Sequence, residues 1–204
     1  MILHSAVKTK FFQKKEQTFE NPLTYGAYCG SINEMQGKLG RGGRMYQVLD
    51  ICRYVINYSN ERNYGVSNLK LQKILYFIQA YFLINSENKE PCFAERIEAW
   101  DLGPVVPEAY REYKQYGSGD IPSITTYFQF KAGNSWEPER VEYEGSLVAE
   151  KDCKLINEVI DKFADYAASD LVKLTHNQAP WKDAYARSQN NEITIRAIRD
   201  YFNE

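Results

Sequence analysis

From residue 45 onward the chain alternates between regular apolar spacing and short polar breaks. Val48, Ile51, Cys52, Val55 and Ile56 recur at intervals of three and four, which places them on one helical face. "NYG" ends that helix, and Ser67 stands where the next one needs an N-cap. In the second helix Leu71, Ile74, Leu75, Ile78 and Phe82 repeat the spacing, and Phe77, Tyr81 and Ile84 widen the apolar surface. A helix apolar on most sides belongs at the centre of a fold. Its polar exceptions are Lys70, Gln72, Lys73 and Gln79. Lys70 and Lys73 lie three apart, share a face, and read as a solvated helix edge.

Beyond the "NSENKEP" loop, "CFAERIEAWDL" reads as a short extended strand. Gly103, Pro104 and Pro107 follow, with Pro107 at the first position of a helix over "PEAYREYKQYG". Val105 and Tyr110 have the spacing of a hydrophobic staple, and Gly117 closes the helix. "SITTYFQF" and "ERVEYEG" flank the turn "KAGNSWEP" and predict a β-hairpin. Leu155, Ile156, Val159, Ile160 and Phe163 mark an amphipathic helix. A short helix capped by Ser169 comes next, then one with Pro180 at its first position, then a C-terminal helix over "EITIRAIRDYF". The predicted class is mainly α (α+β): a compact helical domain around a buried central helix, with one small β-hairpin.

Residues 1–44 differ from this pattern. They carry no sustained apolar periodicity, are rich in turn formers and end in the glycine-rich run "QGKLGRGGR". Their charge differs too. Seven Lys/Arg stand against three Asp/Glu (+4), whereas residues 45–204 carry 18 against 24 (−6). The expected division is a flexible N-terminal extension, 1–44, and a helical domain, 45–204. Two readings of the junction stand side by side. One is a flexible arm. In the other, Gly40–Arg44 is a purine-rich ribosome-binding site read through as protein and Met45 is the start in the cell, which intact-mass analysis of the native protein would decide.

Net charge is −2, and the acidic body argues against nucleic-acid binding outside a local patch. Cys29, Cys52, Cys92 and Cys153 include no Cys-x-x-Cys pair, so neither a zinc site nor a disulfide framework is expected. Cys52 and Cys153 read as small core residues. The N-terminus lacks the apolar run of a secretory signal, and Ile74 to Ile84 is too short to span a bilayer. A soluble, cytoplasmic protein is the expectation.

Candidate chemistry is sparse. His4 and His176 are the only histidines, and His176 has no second metal ligand at helical spacing. No glycine elbow surrounds a serine, and "GRGGR" lacks the lysine and helix of a phosphate loop. For His176, a structural place at a helix end is favoured over a catalytic one. No cofactor and no enzymatic activity are expected. The Asp101–Tyr110 segment carries more information. Val106, at the N-cap position before Pro107, has no side-chain acceptor, so the first helical N–H groups need a partner such as Asp101 folding back or an acceptor from a bound protein. A stiff turn packing Trp100 into the core is the plainer alternative, and Trp181 has the same two readings.

Three motifs occur in order: "VSNLKLQKILYFIQAYFL", "IEAWDLGPVVPEAYREYKQYG" and "LTHNQAPWKDAY". In these, from about residue 45 to the C-terminus, the chain resembles the Panacea domain family of SocA-like antitoxins, which includes phage-associated GepA-type proteins. The matching positions are Leu71, Gln72, Lys73, Tyr76, Trp100, Gly103, Pro104, Val105, Val106, Tyr110, Thr175, His176 and Trp181. The resemblance implies a mostly helical cytoplasmic domain that binds and neutralises a cognate toxin encoded nearby. The family pairs with unrelated toxins, and one member delivers its toxin to a ClpXP-type protease. A proteolytic adaptor or phage-associated regulator is therefore the alternative. An enzyme built on His176 and a repressor using the basic arm are further competitors. The candidate partner-binding set is Lys70, Gln72, Lys73, Tyr76, Trp100, Gly103, Pro104, Val105, Val106, Tyr110, His176 and Trp181, along the shared edge of the central helix and the Gly-Pro segment.

Overall fold

The computed structural model describes residues 45–130, 137–145 and 147–203. The extension 1–44, with His4, Cys29 and the junction at Gly40–Arg44, lies outside the described residues. In chain order the elements are α1 (Val48–Glu61), α2 (Asn68–Asn85), β1 (Ile97–Trp100), β2 (Gly103–Val105), α3 (Pro107–Tyr113), β3 (Thr126–Phe130), β4 (Pro138–Glu142), α4 (Glu150–Lys162), α5 (Ala168–His176), α6 (Ala179–Arg187), β5 (Asn191–Ile193) and α7 (Ile195–Asn203). The fold is mainly α with small antiparallel sheets.

Helix α2 is the axis of the core. It packs against α1, α3, α4, α5, α7 and strand β2. Leu71, Leu75, Phe77, Ile78 and Leu83 have no exposed surface, as its apolar sequence requires. Ser67 caps it, its hydroxyl accepting from the Lys70 N–H at 3.4 Å. The face foreseen on α1 is fully buried at Val48, Ile51, Cys52, Val55 and Ile56. Cys52, Cys92 and Cys153 are buried, and burial raises the Cys52 and Cys92 thiol pKa values. Among the described residues no helix is long and apolar enough to cross a membrane.

Helix α4 docks through tyrosine hydroxyls. Tyr46 donates to Asp152, Tyr54 to Asn157, Tyr81 to Glu158, and both Tyr58 and Tyr64 to Asp161. Each hydroxyl ends an apolar ring at the border of the core, where one end of the side chain is dry and the other is polar.

Some local expectations change. Helix α5 begins after Ala167 with no side-chain cap, and Ser169 lies inside it. Pro180 falls one position into α6, which opens at Ala179. A three-stranded antiparallel sheet, ordered β2-β1-β5, accompanies the hairpin. β2 and β5 are three residues each, and β2 holds a glycine and a proline, so neither offers a periodic signal. Gly117 closes a 3-10 turn that extends α3 over Lys114–Tyr116.

The expected hairpin is present. β3 and β4 pair antiparallel from Thr126↔Glu142 to Phe130↔Pro138. Asn57 on α1 holds its base, donating to the Ile124 carbonyl at 2.9 Å and accepting the Ile124 N–H at 2.7 Å. The Arg53 guanidinium lies 3.7 Å over the Tyr127 ring. Beyond these ties the hairpin is largely solvated, and Phe128 is 69% exposed.

Candidate functional site

The polar residues of α2 define the site's floor, and they are not a solvated edge. Lys73 has no exposed surface, and its ammonium donates to the Pro104 carbonyl at 2.8 Å. Lys70 is also buried and donates to the Ala164 carbonyl at 2.8 Å. Both lysines run inward because the irregular chain packed against α2 offers carbonyls that its own backbone cannot satisfy. Burial lowers both pKa values, that of Lys73 to about 7.

Gln72 holds the backbone at Val106, the residue just before the helix. Its Oε1 accepts the Val106 N–H at 2.9 Å, and its Nε2 donates to Asn68 Oδ1 at 3.0 Å. Asn68 in turn donates to the Tyr110 carbonyl at 3.2 Å. The Val106 N–H, at the end of the Gly-Pro turn, therefore finds its acceptor on α2. Val105 and Tyr110 flank the helix start at staple spacing. Two turns further on, Gln79 does the same for the Cys92–Phe93 backbone. It accepts from both N–H groups at 2.9 and 3.3 Å and donates to the Phe93 carbonyl at 2.9 Å.

Gly103 closes the clamp from the other side. Its φ of +97° is a conformation that side chains resist. A Cβ there would lie 2.7 Å from Thr175 Oγ1 and 2.9 Å from Lys73 Cε. Glycine is thus required both by backbone conformation and by the close approach of α2 and α5. Thr175 turns its hydroxyl back to the Leu171 and Val172 carbonyls of its own helix, both at 3.0 Å.

The third motif forms an aromatic column. The His176 ring stacks on Trp181 at 3.9 Å, and Trp181 stacks on Tyr185 at 4.7 Å. Trp181 Nε1 donates to the Trp100 carbonyl at 3.0 Å, and the Tyr185 hydroxyl donates to Asp101 Oδ1 at 2.9 Å. Desolvation, with a smaller contribution from the Lys73 charge, lowers the His176 pKa, while a hydrogen bond with the Asp101 backbone opposes that shift. His176 and Trp181 therefore support the β1–β2 turn from below.

Above this support lies an open cleft of about 560 Å³. Asn68, Leu69 and Gln72 form its α2 wall, and Trp100 to Leu102, Val105 and Tyr110 form the opposite one. Trp100 and Tyr110 meet edge to face at 4.9 Å, and Trp100 Nε1 donates to Glu98 at 2.8 Å. Leu102, at the tip of the turn, is 56% exposed.

The expected partner-binding residues thus divide. Gln72, Trp100, Val105 and Tyr110 line the cleft. Lys70, Lys73, Tyr76, Gly103, Pro104, Val106 and Trp181 are buried beneath or beside it, and His176 is half-buried. Tyr76 packs against Phe77 and Phe202 and is far inside the core. Sequence reasoning did not single out Asn68, Leu102 or Tyr185, whose roles depend on segments distant in the chain.

The model of the family described as "Antitoxin SocA-like, Panacea domain" matches residues 71–182, a span that includes Gln72, Lys73, Gly103 and Trp181. The chain belongs to that family. Among curated proteins it is similar to Antitoxin SocA of Caulobacter vibrioides (strain NA1000 / CB15N), with 42% identity over 52 residues. The aligned part is 26% of this chain and 27% of that protein. No solved structure matches. For a Panacea domain, the structure gives the motif glutamine, lysine, glycine and tryptophan a shared task, the fixing of the β1–β2 turn on α2.

Proposed function

We propose that this Panacea domain is an antitoxin that neutralises a cognate toxin by direct protein–protein binding. The carrying observation is the open cleft whose rim exposes Leu102 and Tyr110 while buried motif side chains hold its frame. Aromatic and apolar anchors on a rigid support, ringed by amides and by Asp101 and Lys114, have the composition of a binding surface. On this reading the protein is a cytoplasmic binding module and not an enzyme. Lys73 and His176, beneath the cleft, are engaged in holding backbone and rings, and the titratable groups on its wall are Asp101, Tyr110 and Lys114.

The test is co-purification from the source organism with the tagged full chain, followed by growth assays. The expected partner is one protein, encoded nearby, that is toxic alone and harmless when co-expressed. Leu102→Asp should abolish both co-purification and rescue without changing the melting temperature. If ClpXP-type protease subunits co-purify and toxin levels rise when the domain is deleted, delivery to a protease replaces direct neutralisation as the mechanism.

A further inference from the structure

The hairpin has two edges of different character, and its register shows which is open. Tyr143 donates its N–H to the Thr125 carbonyl at 2.9 Å. With the pairing Thr126↔Glu142 and Phe128↔Arg140, this bond sets the phase of the ladder. Thr125, Tyr127 and Gln129 turn their backbone groups toward β4, so Thr126 and Phe128 turn theirs away from it. Among the described residues no hydrogen bond engages the outward groups of Thr126 or Phe128. On the opposite edge, outward positions of β4 are Pro138, which has no N–H, and the charged Arg140 and Glu142. Proline and charge are the usual protection of a sheet edge. β3, "TYFQF", has neither.

We infer that the β3 edge pairs with the β3 edge of a second copy of this chain, joining two hairpins into one four-stranded antiparallel sheet. Three observations favour a copy over another occupant. The edge is self-complementary: with Phe128 on the two-fold axis, Phe128 faces Phe128 of the copy and exchanges both backbone bonds with it, while Thr126 faces residue 130. The strand carries no charge, so two acidic bodies meet where neither presents a carboxylate. Phe128 is the most exposed large apolar side chain among the described residues, and cross-strand aromatic pairing would cover it. A five-residue edge makes a small interface, so the association is weak and concentration-dependent.

Sedimentation equilibrium of the full chain over a wide concentration range tests this. The mass should rise toward twice that of one chain. Thr126→Pro removes an outward N–H and leaves the β3–β4 ladder whole, and it should hold the protein monomeric. Phe128→Lys should do the same by like-charge repulsion. In a Cys29→Ser background, Phe128→Cys should give a covalent dimer on mild oxidation, since directly paired strand residues lie within disulfide reach. A protein that stays monomeric at every concentration overturns the inference. So does a dimer that neither variant disrupts. A monomer whose hairpin variants lose binding to a different protein would assign the edge to a foreign strand, again against self-pairing. None of these outcomes bears on the cleft, whose reading stands or falls with Leu102→Asp.

Discussion

The α2 clamp and the β3–β4 hairpin treat backbone polar groups in opposite ways. In the clamp, Gln72, Lys73 and Gln79 reach from a buried helix to satisfy chain segments that form little regular structure. In the hairpin the strands satisfy each other and leave their outer edges to solvent. The clamp depends on particular side chains at particular positions. The hairpin depends on alternation and on a tether at Asn57. The motif residues Gln72 and Lys73 lie in the clamp, where each replacement leaves a buried group without a partner.

Substitutions should separate the two regions sharply. Gly103→Ala forces a methyl against Thr175 and Lys73 at a φ of +97° and should destabilise by about 3 kcal/mol, read from denaturant unfolding. Gln79→Ala removes three buried hydrogen bonds and should cost a similar amount, about 3 kcal/mol. If either protein unfolds at the wild-type midpoint, the clamp is not the stabilising centre described here.

A pH series sharpens the contrast next. The folded Lys73 pKa, about 7, is depressed below that of the unfolded chain. Above pH 7 the native state gives up this proton before the unfolded state does, so stability rises with pH. Between pH 7 and pH 8.5 the rise should reach about 2 kcal/mol. Lys73→Met should flatten that slope, and an unchanged slope would mean that the ammonium is not desolvated. Trp181→Phe keeps the ring column but loses the bond to the Trp100 carbonyl, and should cost about 1 kcal/mol of unfolding free energy. The smallest effect is expected in the hairpin, where Phe128→Ser should shift stability by less than about 0.5 kcal/mol.

Much of the body was legible because its helices carry their own signal. The wide apolar surface of α2 belonged inside the fold, and Ser67 and Pro107 marked helix starts by local chemistry. The burial of Lys70 and Lys73 was not legible. A lysine on a helix reads as solvated unless its acceptor is known, and Lys73 finds its acceptor 31 residues away at Pro104. A sharper signal was available in Gln72 and Gln79, amides set seven apart on a helix with no polar face. The second sheet was hidden for a different reason. β2 and β5 are too short to show alternation, and they exist because β1 offers both its edges. The cleft was legible as a location, the meeting of α2 and the Gly-Pro segment, but its wall residues Asn68 and Leu102 have ordinary sequence contexts.

The tyrosine hydroxyls that bind α4 give the protein a built-in optical gauge. Burial and neighbouring carboxylates raise the pKa values of Tyr46, Tyr58, Tyr64 and Tyr81. Phenolate absorbs in the near ultraviolet where phenol does not, so these four rings stay dark on alkaline titration while solvated tyrosines brighten. Their delayed appearance, together with that of the core rings Tyr76 and Tyr113, would report the opening of the body and of the α4 contact with it, with no label attached.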